Sequence, residues 1–491
     1  MRHLTIFLWF LACLGTACLT APASQPARPN FIFIIADDMA WDDCGAFGNP
    51  KIRTPNIDRL AHEGMRFERA FVTASSCSPS RSSLITGRYP HSTDAEQLHW
   101  PLPAGQVTFV EKLKAAGYWT AAVGKWHLGD AVRNRFDLVR EQGQAGYMLQ
   151  PGRLEMLGAE DSGAAAWIPT FRERPRDKPF FLWLAAVDPH RDYREGILKQ
   201  PHRPENAVVP PYLPDTPEVR KDLALYYDEI TRLDGNVGRV LEELDRQGQR
   251  DNTLVLFLSD NGRPFPRAKT TVYDSGIKTP LIARWPKGIK AGGIAGGLVS
   301  TVDIAPTILE LAGVAIAPSI QGKSFVASLR DPQARSRDVV FAEKNWHDYE
   351  DRARAVRTER YKYIRNDYPD LPLTPPADAG RSISATIMRR LRDEGKLTPE
   401  QAAIYRIPRP VEELYDIQED PHEFRNLAAD PKCAPILDSL RKKLAEWEKE
   451  TDDRRPKIRT PDEFDRETGR PLPNRPKTRP GKMTFFGPAD R

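Results

Sequence analysis

Phe31-Ile32-Phe33-Ile34-Ile35-Ala36-Asp37-Asp38 is the stretch on which the fold turns. Large apolar residues follow one another without polar alternation. A strand built from them must be covered on both faces, as in a parallel sheet flanked by helices. The run stops at two carboxylates. Open α/β sheets bind ligands beyond the carboxyl ends of their strands, which puts Asp37 and Asp38 where chemistry is done.

The same pattern repeats downstream. Thr54-Pro55 opens a helix with Ile57, Leu60 and Ala61 on one face and Gly64 as its stop, and residues 65–72 read as a strand. Residues 108–116 predict a helix with a Thr108/Glu111 capping box, closed by Gly117. The strand at 118–123 delivers Gly124-Lys125-Trp126-His127-Leu128-Gly129, where strand alternation would turn Lys125 and His127 to one side. A strand at 180–187 ends in Asp188-Pro189-His190-Arg191. Thr216-Pro217 begins a long helix to Leu233, continued or restarted after Gly235 to about Asp245. The strand at 254–258 ends in Ser259-Asp260-Asn261-Gly262, and Lys269 follows in a Pro-rich basic loop. A strand at 281–284 and a helix at 303–311, stopped by Gly313, complete the series. The alternation to about residue 330 predicts the α/β class: a mostly parallel sheet sandwiched by helices, with each charged cluster just after a strand, on one edge.

From Val339 the texture changes. Short strands at 339–342, 357–364 and 413–417 and an amphipathic helix at 435–450 predict a small antiparallel sheet with a packed helix. Residues 369–379 and the tail from Asp452 are Pro-rich and charged, hence loop or extended. The expected organisation is a signal peptide at 1–23, a catalytic α/β domain at 28–335, a C-terminal α+β subdomain at 336–452 and a Pro-rich basic tail at 453–491.

Composition narrows the function classes. The 491 residues carry 72 Lys and Arg against 67 Asp and Glu, a net charge of +5. Much of that excess lies in the tail, and no basic stripe on a folded element suggests nucleic acid. Met1-Arg2-His3, the apolar run 4–19 and Ala21-Pro22-Ala23 form a signal peptide with cleavage expected after Ala23; the run is short for a membrane span. The chain is therefore expected to be exported, periplasmic or secreted, with lipoprotein attachment through Cys18 as the alternative. Of five cysteines, Cys13 and Cys18 leave with the signal; Cys44, Cys77 and Cys433 remain, an odd number that implies no disulfide framework.

Cys77 lies in Ser75-Ser76-Cys77-Ser78-Pro79-Ser80-Arg81-Ser82-Ser83-Leu84-Ile85-Thr86-Gly87-Arg88. Ser78 or Cys77 reads as a helix cap, Pro79 as the first helical residue and Gly87 as the stop. A group here would face the positive end of a helix, which favours an anion. By itself the stretch reads first as a buried cysteine in a Ser-rich turn. Asp37, Asp38, Asp260 and Asn261 are four oxygen-bearing side chains from two strand ends, the donors that a hard cation such as Ca2+ takes. Beside a lysine, two histidines and an arginine, with Lys125, His127 and His190 among them, they would form a metal centre with a cationic lining, suited to sulfate or phosphate.

Cys77-Ser78-Pro79-Ser80-Arg81 with Leu84-Ile85-Thr86-Gly87-Arg88 resembles the signature of type I sulfatases, which share an alkaline-phosphatase-like fold. The resemblance runs from about Arg28 to Glu450. It includes Ala36-Asp37-Asp38, Gly124–Gly129, Pro189-His190 and Ser259-Asp260-Asn261-Gly262. It implies that a maturation enzyme converts Cys77 to formylglycine (3-oxoalanine), and that Asp37, Asp38, Asp260, Asn261 and the modified Cys77 ligate Ca2+. It further implies attack on sulfur by the hydrated aldehyde, then expulsion of sulfate with help from His127. Arg81 would hold the hydrate. Lys125, His190 and Lys269 would bind sulfate oxygens, His190 or Lys269 protonating the leaving group. Asp260-Asn261-Gly262-Arg263-Pro264-Phe265-Pro266, Asp188-Pro189-His190-Arg191 and residues 209–217 resemble the subgroup typified by lysosomal sulfamidase, in which an arginine stands at the place of Lys269. His347-Asp348 falls near that subgroup's sugar-contacting His-Glu pair, which implies substrate binding. The expected activity is release of sulfate from a sulfated sugar, N-sulfoglucosamine first. The alternatives are O-desulfation of another glycan, phosphonate or phosphate monoester hydrolysis, or a carbohydrate-binding pseudo-sulfatase.

Overall fold

The computed structural model describes residues 28–141, 147–150, 153–156 and 162–473. The expected signal peptide at 1–23 and the tail beyond residue 473 lie outside the described residues. The strands are β1 (Asn30–Ala36), β2 (Met65–Phe71), β3 (Trp119–Gly124), β4 (Leu138–Glu141), the separate hairpin β5 (Tyr147–Gln150) and β6 (Arg153–Met156), then β7 (Phe180–Ala185), β8 (Thr253–Ser259), β9 (Leu281–Arg284) and β10 (Gly293–Ser300). Eight of them form one sheet in the order β10-β2-β9-β8-β1-β7-β3-β4. β9 alone runs against its neighbours.

β1 explains why its sequence lacks alternation. Ile32, Ile34 and Ala36 enter a core shared with Leu223, Tyr226 and Ile230 of the helix Pro217–Arg246. Phe31, Phe33 and Ile35 enter the opposite core, with Phe109, Ile304 and Ile308. Each buried Ile or Phe contributes about 1.5–3 kcal/mol by leaving water, so polar residues are excluded from both faces. The helix Pro217–Arg246 is one unbroken element of 30 residues, not two. Gly235 is exposed there, and its helix penalty of about 1 kcal/mol is outweighed by the buried stripe. At residues 109–115 the box expected from Thr108 and Glu111 is half made. The Thr108 side chain accepts from Glu111 N, while the Glu111 carboxylate pairs with Arg135 at 3.1 Å.

The second sheet is antiparallel: β11 (Val340–Lys344), β12 (Ala353–Arg357), β13 (Tyr361–Asn366) and β14 (Glu412–Asp416), in that order. The expected single strand at 357–364 is thus a hairpin, turned at Thr358, whose N donates to Tyr361 O at 2.8 Å. No Gly, Pro or Asn announces that turn. The helix Ala434–Thr451 lays Leu437, Leu440, Leu444 and Trp447 on Val356, Tyr363 and Leu414. This sheet docks where β2 ends, with Glu343 N donating to Thr73 O at 2.8 Å. The stretch expected as loop at 369–379 carries a short helix, Ala377–Gly380, and the helix Ile383–Asp393 follows it. The tail to residue 473 has no helix or ladder strand, as its prolines imply, but it is packed: Glu463 N donates to Asp348 O at 2.9 Å and Trp346 Nε1 to Pro461 O at 3.0 Å. Among the described residues no helix is long and apolar enough to cross a membrane.

Candidate active site

The ends of β1, β2, β3, β7 and β8 converge on one edge of the sheet. The helix after β2 is Cys77–Thr86, capped by Ser76, so it starts earlier than the sequence implies: Cys77 is its first residue, not its cap. Pro79 falls in the first turn, where a missing N–H costs no helical bond. Ser78 is free of capping duty, and its Oγ accepts from His99 N at 2.8 Å. All ten residues of this helix are buried, and Gly87 closes it with a φ of 68°.

Cys77 Sγ lies 3.5 Å from Asp37 Oδ1 and 3.8 Å from Asp38 Oδ1. One ligand atom each from Asp37, Asp38, Cys77 and Asp260 falls within 4.8 Å of the others. Asn261 completes the set. Its Nδ2 donates to Asp38 Oδ1 at 2.6 Å, while its Oδ1 is buried with no hydrogen-bond partner. A buried carbonyl oxygen without a donor, beside three carboxylates, is what a hard cation would satisfy, so the residues fit Ca2+. Burial pushes the Cys77 thiol well above its ordinary range, and Asp37 and Asp260 add to that against Lys125 and Lys269. A thiolate nucleophile needs the opposite shift, so the unmodified cysteine is a poor nucleophile here.

Arg81 is fully buried. Its Nε and Nη2 meet Asp260 Oδ2 at 2.8 and 2.7 Å, and Nη1 donates to Lys125 O at 2.9 Å. It therefore ties the β8 end to the β3 end. Lys125 pairs with Asp37, and Lys269 Nζ lies 2.7 Å from Asp38 Oδ2. Burial would raise the Asp37 carboxyl, but Lys125, His190 and Arg81 outweigh it and hold it below the usual range. Three carboxylates thus face three cations, all out of water.

Lys125 and His127 reach the site from a loop rather than from a strand. β3 ends at Gly124, whose φ is 100° and where a Cβ would stand 1.9 Å from Ala185 O of β7. Only glycine lets the chain turn there. His127 has a φ of 55° and its Nε2 lies 2.8 Å from His99 Nδ1. Burial, then Lys125, His99 and Arg81, drive its pKa well below the ordinary value and keep the ring neutral. His190 follows β7. Its Nδ1 is 2.5 Å from Arg191 O, and its Nε2 turns to Asp38 at 3.8 Å. Arg191 fixes this loop by a two-point pair with Asp222 at 2.8 and 2.9 Å.

His347 and Asp348 are 6% and 9% exposed, not on a surface turn. His347 Nδ1 lies 2.7 Å from Ser76 Oγ, one residue from Cys77, and Asp348 Oδ2 accepts from Ala377 N at 2.9 Å. The structure therefore brings together every residue singled out in the sequence. Two residues were missed. His99 stands in a segment without any motif. Asp378 sits in the Pro-rich stretch taken for a loop; its Oδ2 is 3.6 Å from His190 Nε2 and 3.7 Å from Lys269 Nζ.

Comparison with known proteins agrees with this geometry. The sulfatase family profile matches residues 29–314, and the profile for the N-sulphoglucosamine sulphohydrolase C-terminal region matches residues 267–370. The human N-sulphoglucosamine sulphohydrolase is 31% identical over 472 residues, covering 87% of this chain and 91% of that protein. An ulvan-active sulfatase of Formosa agariphila is 31% identical over 472 residues, covering 86% of this chain and 75% of that protein. A solved structure of a protein in complex with its substrate D-glucosamine-2-N,6-O-disulfate superposes with a TM-score of 0.68 at 23% identity, covering 87% of this chain and 99% of that one. That likeness establishes the alkaline-phosphatase/sulfatase-like fold. Fold, converging site and sequence identity together make the chain a member of the sulfatase family, a hydrolase of sulfate esters or sulfamates of sulfated sugars.

Proposed function

We propose that this protein is an exported, calcium-dependent sulfatase whose nucleophile is formylglycine made from Cys77, and that its substrate is a glucosamine end carrying N-sulfate. The observation that carries the reading is the buried, high-pKa thiol of Cys77 set among Asp37, Asp38, Asp260 and the unpaired Asn261 Oδ1. Asp37, Asp38, Asp260, Asn261 and the modified Cys77 would hold the cation. When bound, Ca2+ supplies positive charge that draws in the sulfate group and eases deprotonation of the aldehyde hydrate. Arg81 keeps Asp260 and the Lys125 backbone in register. Lys125 and Lys269 present two ammonium groups to sulfate oxygens. His127, neutral in its buried setting, can take up a proton on its imidazole as sulfate leaves. His190 Nε2 or Lys269 Nζ gives a proton to the departing atom. His347 and Asp348 would contact the sugar from the second sheet. The division into a catalytic domain at 28–335 and a subdomain at 336–452 is part of the proposal, as are the signal peptide and a maturation enzyme as partner.

N-desulfation is placed first because of the identity to the human N-sulphoglucosamine sulphohydrolase along 91% of its length. The ulvan-active relative, equally identical at 31%, favours O-desulfation of another glycan as the second reading. Incubation with glucosamine sulfated at N, 3-O or 6-O separates them: sulfate released only from the O-sulfated sugars rejects the first. Peptide mapping should find Cys77 about 18 Da lighter than encoded. A Cys77→Ala protein with full activity would sink the nucleophile assignment.

A further inference from the structure

Asp378 is a carboxylate of the pocket that the metal, sulfate-binding and sugar-contacting sets all leave unused. It lies on the short helix Ala377–Gly380 and is 6% exposed. Its Oδ1 accepts from Ala379 N at 2.7 Å. Its Oδ2 is buried with no hydrogen-bond partner, 3.6 Å from His190 Nε2 and 3.7 Å from Lys269 Nζ. The segment is fixed from three sides. Ala377 N donates to Asp348 Oδ2 at 2.9 Å, Arg381 Nη1 to Gly469 O at 2.7 Å, and Ser384 Oγ to Asp222 Oδ2 at 2.6 Å. The Lys269 ammonium lies 2.7 Å from Asp38 as well as 3.7 Å from Asp378, so it already supplies positive charge to both carboxylates.

Resting on the N-desulfation reading, we propose that Asp378 determines specificity for N-sulfo over O-sulfo sugars, because a rigid carboxylate oxygen without a hydrogen-bond partner stands beside His190 and Lys269, either of which protonates the leaving atom. In a sulfamate the S–N bond breaks while an O–S bond forms to the nucleophile. The S–N electron pair stays on nitrogen, which takes one proton as it departs and a second from solvent. With the water consumed, the products are an ammonium sugar and sulfate. In an O-sulfate the departing oxygen takes one proton and ends as a neutral hydroxyl. The sulfamate nitrogen carries an N–H that can donate to Asp378 Oδ2, and the freed amine beside this carboxylate ends as an ammonium once it takes its second proton. The bridging ester oxygen has no hydrogen, and a carboxylate beside it is repulsive.

The test compares wild type with Asp378→Asn on N-sulfoglucosamine and glucosamine 6-O-sulfate. The ratio of kcat/KM for N over O should fall by about tenfold or more. Equal losses on both substrates would reduce Asp378 to a support for Lys269 and His190 and overturn the proposal. Wild type that cleaves only the 6-O-sulfate would overturn the N-desulfation reading and this inference with it. Wild type that cleaves the N-sulfate, with an unchanged ratio in the variant, overturns the inference alone. Product inhibition of wild type is an independent readout should the variant misfold. Glucosamine should inhibit at about tenfold lower concentration than N-acetylglucosamine, which lacks the ammonium. Equal inhibition by the two would also overturn the proposal.

Discussion

Arg466→Ala tests whether the packed tail positions the sugar-contacting loop. Arg466 is 20% exposed and stands astride that loop: Nη2 donates to Glu350 O at 2.8 Å, Nη1 to Thr374 Oγ1 at 3.2 Å, and the guanidinium lies 5.3 Å from the Tyr349 ring centroid. It also pairs within the tail with Asp462 at 2.6 Å. Two ordinary hydrogen bonds are worth about 1 kcal/mol each, and a partly exposed cation–π contact about 0.5–1 kcal/mol. Release of the arginine rotamers returns up to about 2 kcal/mol, so the net loss is about 1 kcal/mol. For a chain of this size that lowers Tm by no more than about 3 °C. The same 1 kcal/mol, if it holds His347 and Asp348 against the substrate, raises KM for a sulfated glucosamine about fivefold. A small aryl sulfate, which does not reach the loop, should be hydrolysed within about twofold of wild type. Steady-state sulfate release on both substrates, with a thermal scan, gives the answer. An unchanged KM for the sugar, or an equal loss on the aryl sulfate, refutes the reasoning.

Other expectations follow from the buried site and its supports. Arg81→Lys keeps the charge but loses the fork, so charge-assisted bonds worth about 1.5–3 kcal/mol each go and kcat/KM on an aryl sulfate should fall at least about a hundredfold; a variant within threefold of wild type contradicts the role given to Arg81. A chelator should abolish sulfate release and Ca2+ restore it, while added Ca2+ at about 100-fold over Kd stabilises wild type by about 2.7 kcal/mol in thermal scans; Asp260→Asn should lose that shift, and an equal shift in the variant places the ion elsewhere. Asp274, buried with Arg357 at 3.0 Å and Lys362 at 2.5 Å, has its carboxyl pKa depressed, those two cations outweighing burial. A depressed carboxyl adds stability above its unfolded pKa of about 3.9 and loses it as pH falls through the folded value. Wild type should therefore exceed Asp274→Asn by about 3 kcal/mol at pH 6, and the gap should shrink below about pH 4; a gap that widens in acid reverses the sign of the argument.

The sequence by itself determined the parts whose cause is local. A run such as Phe31–Ile35 can satisfy its side chains only inside a two-sided sheet, and each strand's end then marks a charged cluster for the same edge. Cys77 with its proline, Arg81 and Gly87 was legible as a helix start, although the cap lay at Ser76 because the first turn tolerates a proline at more than one position. The hairpin hidden in 357–364 escaped because its turn uses Thr358 backbone geometry rather than a special residue.

Only the tertiary structure decided what depends on contacts between distant segments. Lys125 and His127 share a side because Gly124 turns the chain against β7, not because strands alternate. Asp378 became part of the pocket because Asp348, Asp222 and Gly469 hold its helix there. The described part of the tail, 453–473, is packed although its composition reads as loop. A hydrogen bond to a backbone carbonyl needs no particular side chain at the acceptor, so such docking leaves no motif to find.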